Sequence, residues 1–302
     1  MIIKNIISVL IFLTFNMVFA QNEQLELTIS NDKIVFIDKY YTSGIQITYR
    51  KSLEQNFLFI KNEDNKLQLN LVLGNETYTP SNLTSLNTSN YDRPYAGWLY
   101  AGLELGQIKK ESAIFVGLET GVTGKESLSG KLQLAFHDLF GIDSRPSWKD
   151  EISFKWLINL KSRYVLDFNV DSHNVFQNQL STCLGTKDVF FENNLSYFFG
   201  RLNEFNTSSR SNLLDATQNN EFYGVVSVGY KYVVHNTLIQ GRPFNNDDIF
   251  TTSASEGILK LSLGSVLKFK RSLFKLALQF NTKETPRSSL HVYGTLSFAR
   301  SF

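Results

Sequence analysis

The sequence predicts an all-β fold, a transmembrane antiparallel β-barrel of twelve strands with a short helix in an external loop. Three observations carry this. Apolar and polar residues alternate with period two over segments of about ten residues, the length a tilted strand needs to cross hydrocarbon. The faces opposite the apolar ones carry long polar side chains, as a wet lumen needs. The chain also ends inside an alternating strand, Val292 to Phe302, whose terminal aromatic resembles the signal read by outer-membrane assembly machinery.

Residues 1–20 read as a secretion signal. Lys4 precedes an apolar run from Ile6 to Phe15, and Val18-Phe19-Ala20 puts small residues where a signal peptidase cuts. Thr14 and Asn16 break the run, which falls short of the ~20 residues of a spanning helix. Cleavage is therefore expected over a membrane anchor, leaving 21–302 as one barrel. The net charge of +2 is scattered, which excludes a nucleic-acid footprint. A single cysteine, Cys183, excludes an intramolecular disulfide and a thiolate metal cluster. Aromatic residues make up 14%, with 25 Phe and 13 Tyr, which favours strands.

The alternation is clearest where Leu67, Leu69, Leu71 and Leu73 interleave with Gln68 and Asn70. It recurs at Ile45-Gln46-Ile47-Thr48-Tyr49-Arg50, from Leu259 to Phe269 and from Phe274 to Asn281. A soluble sandwich would also alternate; the polar opposite faces, the strand lengths and the terminal strand favour the barrel. Strands are expected near 24–31, 41–51, 66–77, 94–108, 112–121, 150–160, 162–171, 181–193, 222–234, 256–269, 272–282 and 290–302. Twelve is the even number single-chain bacterial barrels require. With both termini periplasmic, 32–40, 78–93 and 122–149 become external loops, whereas 52–65 and 194–221 are long for periplasmic turns.

Within 122–149, Leu128, Leu132, Ala135, Phe136 and Leu139 recur at helical spacing, and Gly141 is a C-terminal stop. A short helix follows, on which Gln133 and His137 stand four apart on one face. A histidine takes a proton from water near neutral pH, and an amide beside it can orient it or donate to an oxyanion. Taken alone, the pair more often serves ordinary surface or capping chemistry, and it needs corroboration from elsewhere in the chain. At the first external turn, parity sends Asp32 and Thr42 towards the lumen and Asn31 outward, so involving Asn31 there requires a bulge; Asn-Asp also simply initiates turns. Tyr91-Asp92-Arg93-Pro94-Tyr95-Ala96-Gly97-Trp98 reads as architecture at the interfacial girdle, with Arg93 able to meet an anionic head group. His173, His235 and His291 are dispersed and read as structural, and no Gly-x-Ser-x-Gly elbow is present.

Taken in order, Asn31-Asp32, Tyr41-Thr42-x-Gly44, Asp92 to Trp98, Gly121-Val122-x-Gly124, Gln133-x-x-x-His137 and Trp148 resemble the outer-membrane lipid A 3'-O-deacylase family. The resemblance implies a twelve-stranded barrel that hydrolyses an acyl ester of lipid A in lipopolysaccharide at the outer leaflet, with calcium (Ca2+) as cofactor; a monomer is expected separately, since one small barrel needs no partner. It implies His137 as the base that activates water, and Asn31, Thr42 and Gln133 around it. Asp32 is expected on the metal, with Asp143 standing where a family enzyme has Glu, one methylene longer. Gly124-Lys125 replaces the family's Gly-Pro, and 81–90 offers no counterpart of its second-loop basic residue. Ester hydrolysis through activated water and a hard cation on oxygen ligands is coherent chemistry. The rival readings are a non-enzymatic pore or structural barrel and a phospholipase-like barrel.

Overall fold

The structure, a computed structural model, describes residues 22–35, 39–53, 56–57, 60–61, 66–169, 171, 173–214, 219–244 and 247–302. The expected signal peptide and mature start at Gln21 lie outside them. Twelve antiparallel strands form one closed barrel. They are β1 (Glu23–Asn31), β2 (Tyr40–Leu53), β3 (Lys66–Thr79), β4 (Ala96–Ile108), β5 (Ser112–Val122) and β6 (Trp156–Asn169). β7 (Asn174–Gly185), β8 (Asp188–Arg201), β9 (Glu221–Asn236), β10 (Gly257–Phe269), β11 (Ser272–Asn281) and β12 (His291–Ser301) complete it. β1 pairs with β2 on one side and β12 on the other, so no edge is left. Hydrocarbon offers backbone groups no partner, and closure is how a sheet meets that demand.

Alternation does what the sequence leads one to expect. Leu27, Ile29, Ile45, Ile47, Leu71 and Leu73 are 39–55% exposed and form an apolar outer belt. Their neighbours in sequence point inward: Glu26 meets Arg50 of the adjacent β2 at 2.6 Å and Lys275 of β11 at 3.2 Å on the luminal face. The ladder differs from expectation in the middle. The expected strands 150–160 and 162–171 are one strand, β6, and the expected strand 181–193 is a hairpin, β7 and β8, so the total of twelve survives. Lys161 makes no turn because its ammonium is tied to Glu119 in the lumen. The turn falls instead at Thr186-Lys187, where the Thr186 amide donates to the Ile158 carbonyl at 2.8 Å and its hydroxyl accepts from the Ile158 amide at 2.9 Å. Such a fastening leaves no Gly-Pro or Asn-Gly mark for periodicity to find. Asp150 turns in the left-handed region at φ 52°, and 151–155 lead into β6 without strand pairing, with Lys155 bonded to Asp248 at 2.6 Å. Cys183 is buried, as its apolar setting implies.

The long segment between β8 and β9 is long because it fills the barrel. Phe205 and Leu213 pack among Ile108, Ala113, Phe115 and Val165. Glu221 accepts from the Ser208 hydroxyl at 2.7 Å and the Ser209 amide at 2.8 Å, folding the segment inward. Arg210 meets Asp167 at 3.0 Å with both side chains out of solvent. At the outer mouth, Ile152 and Leu238 pack on Trp98 and Tyr100. Between the two plugs lies a cavity of about 310 Å³ lined by groups that include Glu104, Glu119, Lys161, Arg163 and Glu192.

Arg210→Ala strands the Asp167 carboxylate in the plug, so the barrel is expected to lose ~3–5 kcal/mol. Heat-modifiable migration on gels reads the loss as a lower melting midpoint, and Arg210→Ala with Asp167→Ala should regain most of it.

Candidate active site at the outer rim

The loop after β5 folds into helix α1 (Ser129–Phe140). Leu128 precedes it in the left-handed region at φ 62°, and Gly141 ends it at φ 63°, with the amide of Gly141 reaching the His137 carbonyl. Ser129, Gln133 and His137, four apart, form its buried face. The leucines that signalled the helix lie away from that face: Leu128, Leu132 and Leu139 are 44%, 46% and 52% exposed. In a water-soluble domain that stripe would face the core. Here it continues the barrel's outer belt.

The helix rests on the outer wall of the barrel. The Ser129 hydroxyl donates to Asn75 Oδ1 at 3.1 Å and stands the same distance from the Glu76 carbonyl, while Asn75 Nδ2 donates to the Ser127 carbonyl at 2.7 Å. Asn75 is the ladder partner of Ile45, which belongs to the lipid-facing belt. On the neighbouring strand β4, Gly97 lets the helix in: a Cβ there would lie 2.0 Å from Ser127 Oγ and 2.5 Å from Ser129 Oγ.

The first external turn joins the same surface from the other side. Asn31 pairs with Ser43 at the ends of β1 and β2 and shares the outward parity of Leu27 and Ile29. Its Oδ1 accepts from the Lys33 amide at 2.6 Å. A bulge between Tyr41 and Ser43 breaks the register of β2 on β3. The bulged residue, Thr42, hydrogen-bonds Thr79 at 2.6 Å. Thr79 alternates with Tyr78 and Glu76, which line a luminal cavity together with Lys231 of β9 and Tyr293 of β12. Thr42 therefore points out of the barrel, not into the lumen as simple parity has it, and the bulge is needed for Thr42 rather than for Asn31. Asp32 is fully buried, and its carboxylate accepts from the Lys39 amide, closing the turn.

Along the helix, His137 Nδ1 sits 2.5 Å from the Ser144 carbonyl, so the ring donates there and the neutral imidazole carries its lone pair on Nε2. Gln133 Oε1 accepts from Trp148 Nε1 at 2.8 Å. Its Nε2 is buried with no hydrogen-bond partner among the described residues, a cost of roughly 1–3 kcal/mol for an amide left unpaired. Trp148 and the Ser144 carbonyl escaped the reading of single residues, although Trp148 already stood in the motif order. Asp143 is exposed beside Ser144. Thr79 and Ser129 link the neighbourhoods of Thr42 and Gln133 through the two ends of one short stretch of β3, residues 76 to 79.

Other residues hold the frame. Arg93 is buried against Glu284 at 2.5 Å and over the Tyr78 ring at 4.4 Å, so it clamps loops rather than meeting a head group. Asp92 accepts from Tyr40 and from the Ser81 amide. His291 lies between the Tyr40 and Tyr293 rings, and His235 bonds Thr237. Near the helix, burial pushes the Glu151 carboxyl up to about 7, Glu126 adding to the rise and Lys125 opposing it. As for a metal, the donors of Asn31, Asp32 and Thr42 are all oxygen, the set a hard cation takes. Among the described residues no group of three or more His, Cys, Asp or Glu could hold an ion, so neutral oxygens must complete any shell around Asp32.

A closed twelve-stranded barrel with an exposed apolar belt defines the class, an outer-membrane β-barrel. The family model described as outer membrane protein LpxR matches residues 6–302, and the chain belongs to that family. It is accordingly an outer-membrane lipid A deacylase, an ester hydrolase. Among solved structures, LpxR from Salmonella typhimurium is similar at a TM-score of 0.75 and 17% identity, covering 92% of this chain and 100% of its own. The β domain of the Bordetella autotransporter BrkA is similar at 0.50 and 9%, covering 93% and 99%. A comparison with curated proteins gives no match.

Gly97→Ala should lift α1 from the wall. Deacylation is expected to fall roughly 100-fold, as for a displaced catalytic group, with heat-modifiable migration of the barrel retained. The raised Glu151 carboxyl stabilises the folded loop below about pH 4.5, and that stability fades as pH rises towards 7, because the unfolded carboxylate ionises first. Protection factors of the loop amides, corrected for intrinsic exchange, should therefore fall from pH 5 to 8, and Glu151→Gln should flatten the trend.

Proposed function

We propose that the groove between α1 and the outer wall hydrolyses an acyl ester of lipid A in the outer leaflet, with His137 as general base. The observation that carries this is the pairing, on one buried helix face, of a histidine oriented through Nδ1 with an amide whose Nε2 awaits an acceptor. Water loses a proton to His137 Nε2 as its oxygen bonds to the ester carbon. Gln133 Nε2 donates to the oxyanion that forms. The carbon–oxygen ester bond then breaks, and the imidazolium returns the proton to the departing sugar oxygen, giving a free fatty acid and an alcohol.

Calcium belongs to the same proposal. The Asp32 carboxylate would hold it with the neutral oxygens of Asn31 and Thr42, and Asp143 is the second carboxylate offered to it. When bound, it supplies a Lewis acid for the ester carbonyl. Position supports the substrate class: the helix turns Leu132, Leu139 and Phe140 to the lipid, so acyl chains can stay in hydrocarbon while the ester reaches polar groups beneath. Among the described residues both ends of the lumen are filled by protein, which weighs against the pore reading. We further infer export through a signal peptide at 1–20, a monomeric barrel from 21 to 302, and a site facing the cell exterior.

Lipid A from cells making the protein or its His137→Ala variant separates the readings by mass spectrometry. The native protein should remove one acyl mass with calcium present and not after chelation. His137→Ala should fall by at least ~100-fold. An unchanged lipid A with cleaved phospholipid would move the assignment to the phospholipase reading.

A further inference from the structure

Trp148 belongs to the ordered motifs, and the reaction above gives it no task. Its indole N–H, which can only donate, is spent on Gln133 Oε1 at 2.8 Å. That bond settles which end of the amide faces where: the oxygen is occupied, and the buried Nε2 is turned the other way with no partner among the described residues. Without the indole, the amide could rotate and present an acceptor to a developing negative charge.

Trp148 is itself held from several sides. Its backbone sits in the left-handed region at φ 47°, which a non-glycine residue adopts only when its surroundings impose it. The indole lies flat on Gly130, where a Cβ would come within 2.9 Å of Trp148 Cδ2. The Tyr95 ring stands 5.1 Å away. The preceding residue is strapped to the second external loop by its amide on the Leu83 carbonyl at 2.8 Å. A side chain fixed this firmly, delivering one hydrogen bond to a group of the site, has the form of a positioning device.

We propose that Trp148 is a positioning residue that makes Gln133 an obligate donor to the oxyanion, and that the loop carrying Tyr95 thereby sets the donor's direction. The proposal rests on the oxyanion role given to Gln133 above.

The test is a double-mutant cycle on the full-length protein, comparing Trp148→Phe, Gln133→Ala and the pair. Initial rates of fatty-acid release from lipopolysaccharide in mixed micelles with calcium are measured, and heat-modifiable migration checks the barrel. Trp148→Phe should lower kcat by roughly 10-fold or more with KM shifted less than about 3-fold, as for a lost oxyanion donor. In the Gln133→Ala background it should change kcat by less than about 2-fold, since the two act as one unit. Gly130→Ala, which pushes the indole away, should reproduce the pattern and serves if Trp148→Phe fails to fold. Equal losses in both backgrounds, a change in KM alone, or a full rate for Trp148→Phe overturns the proposal. A full rate for Gln133→Ala instead overturns the oxyanion reading, and the proposal with it.

Discussion

Hydrocarbon supplies no hydrogen bonds, and from that constraint the molecule follows. The sheet must close, its outer face must be apolar, and any polar strip left on that face must be covered. One such strip exists: Asn31, Asn75, Thr77 and Thr79 lie on the outer parity at the outward ends of β1 and β3. Thr77 and Thr79 are nevertheless 1% and 0% exposed. The helix α1 and its flanking loops are the cover. Their polar atoms turn inward onto the wall and their leucines outward to lipid, the reverse of a helix on a soluble domain. A polar pocket held against the leaflet in this way is where water, histidine and an ester from the membrane can meet.

The lumen serves a different end. Its charges are matched between adjacent or next-but-one strands on the luminal face, Glu26 with Arg50 and Lys275, Glu104 with Arg163, Glu192 with Lys260. Such pairs set register and keep the interior from collapsing, and removing one partner costs more than the pair contributes. With a plug at each end they brace the wall on which the helix docks.

Much of this was legible in the sequence. Period two gave the barrel, the count of strands and the belt; helical spacing and Gly141 gave α1 and the shared face of Gln133 and His137. The failures have identifiable causes. The β7–β8 turn carries only Gly185 and Asp188 around Thr186-Lys187 and is fastened by Thr186 to the neighbouring strand, so β7 and β8 merged and β6 split. Parity was read correctly for Asn31 but judged against the wrong surface, because the alternation says which residues share a face and not which face is chemically used. Thr42 could not be placed at all without its bulge. Trp148 reaches Gln133 across 15 positions of chain, a distance at which no periodicity speaks.

The partner of His137 bears on how the reaction is driven. A carboxylate on Nδ1 would both orient the ring and share the positive charge that forms on proton uptake, as in serine hydrolase triads. Here Nδ1 meets the neutral carbonyl of Ser144, which orients the ring and fixes its tautomer but carries no compensating charge. More of the barrier must then be met at the other end of the transition state, on the oxyanion, where preorganised donors act in surroundings of low polarity. In the proposed reaction that work falls to Gln133 Nε2 and to the cation proposed at Asp32. It also accounts for why so much structure, from the left-handed backbone of Trp148 to the absent side chain of Gly130, is devoted to the direction of one amide.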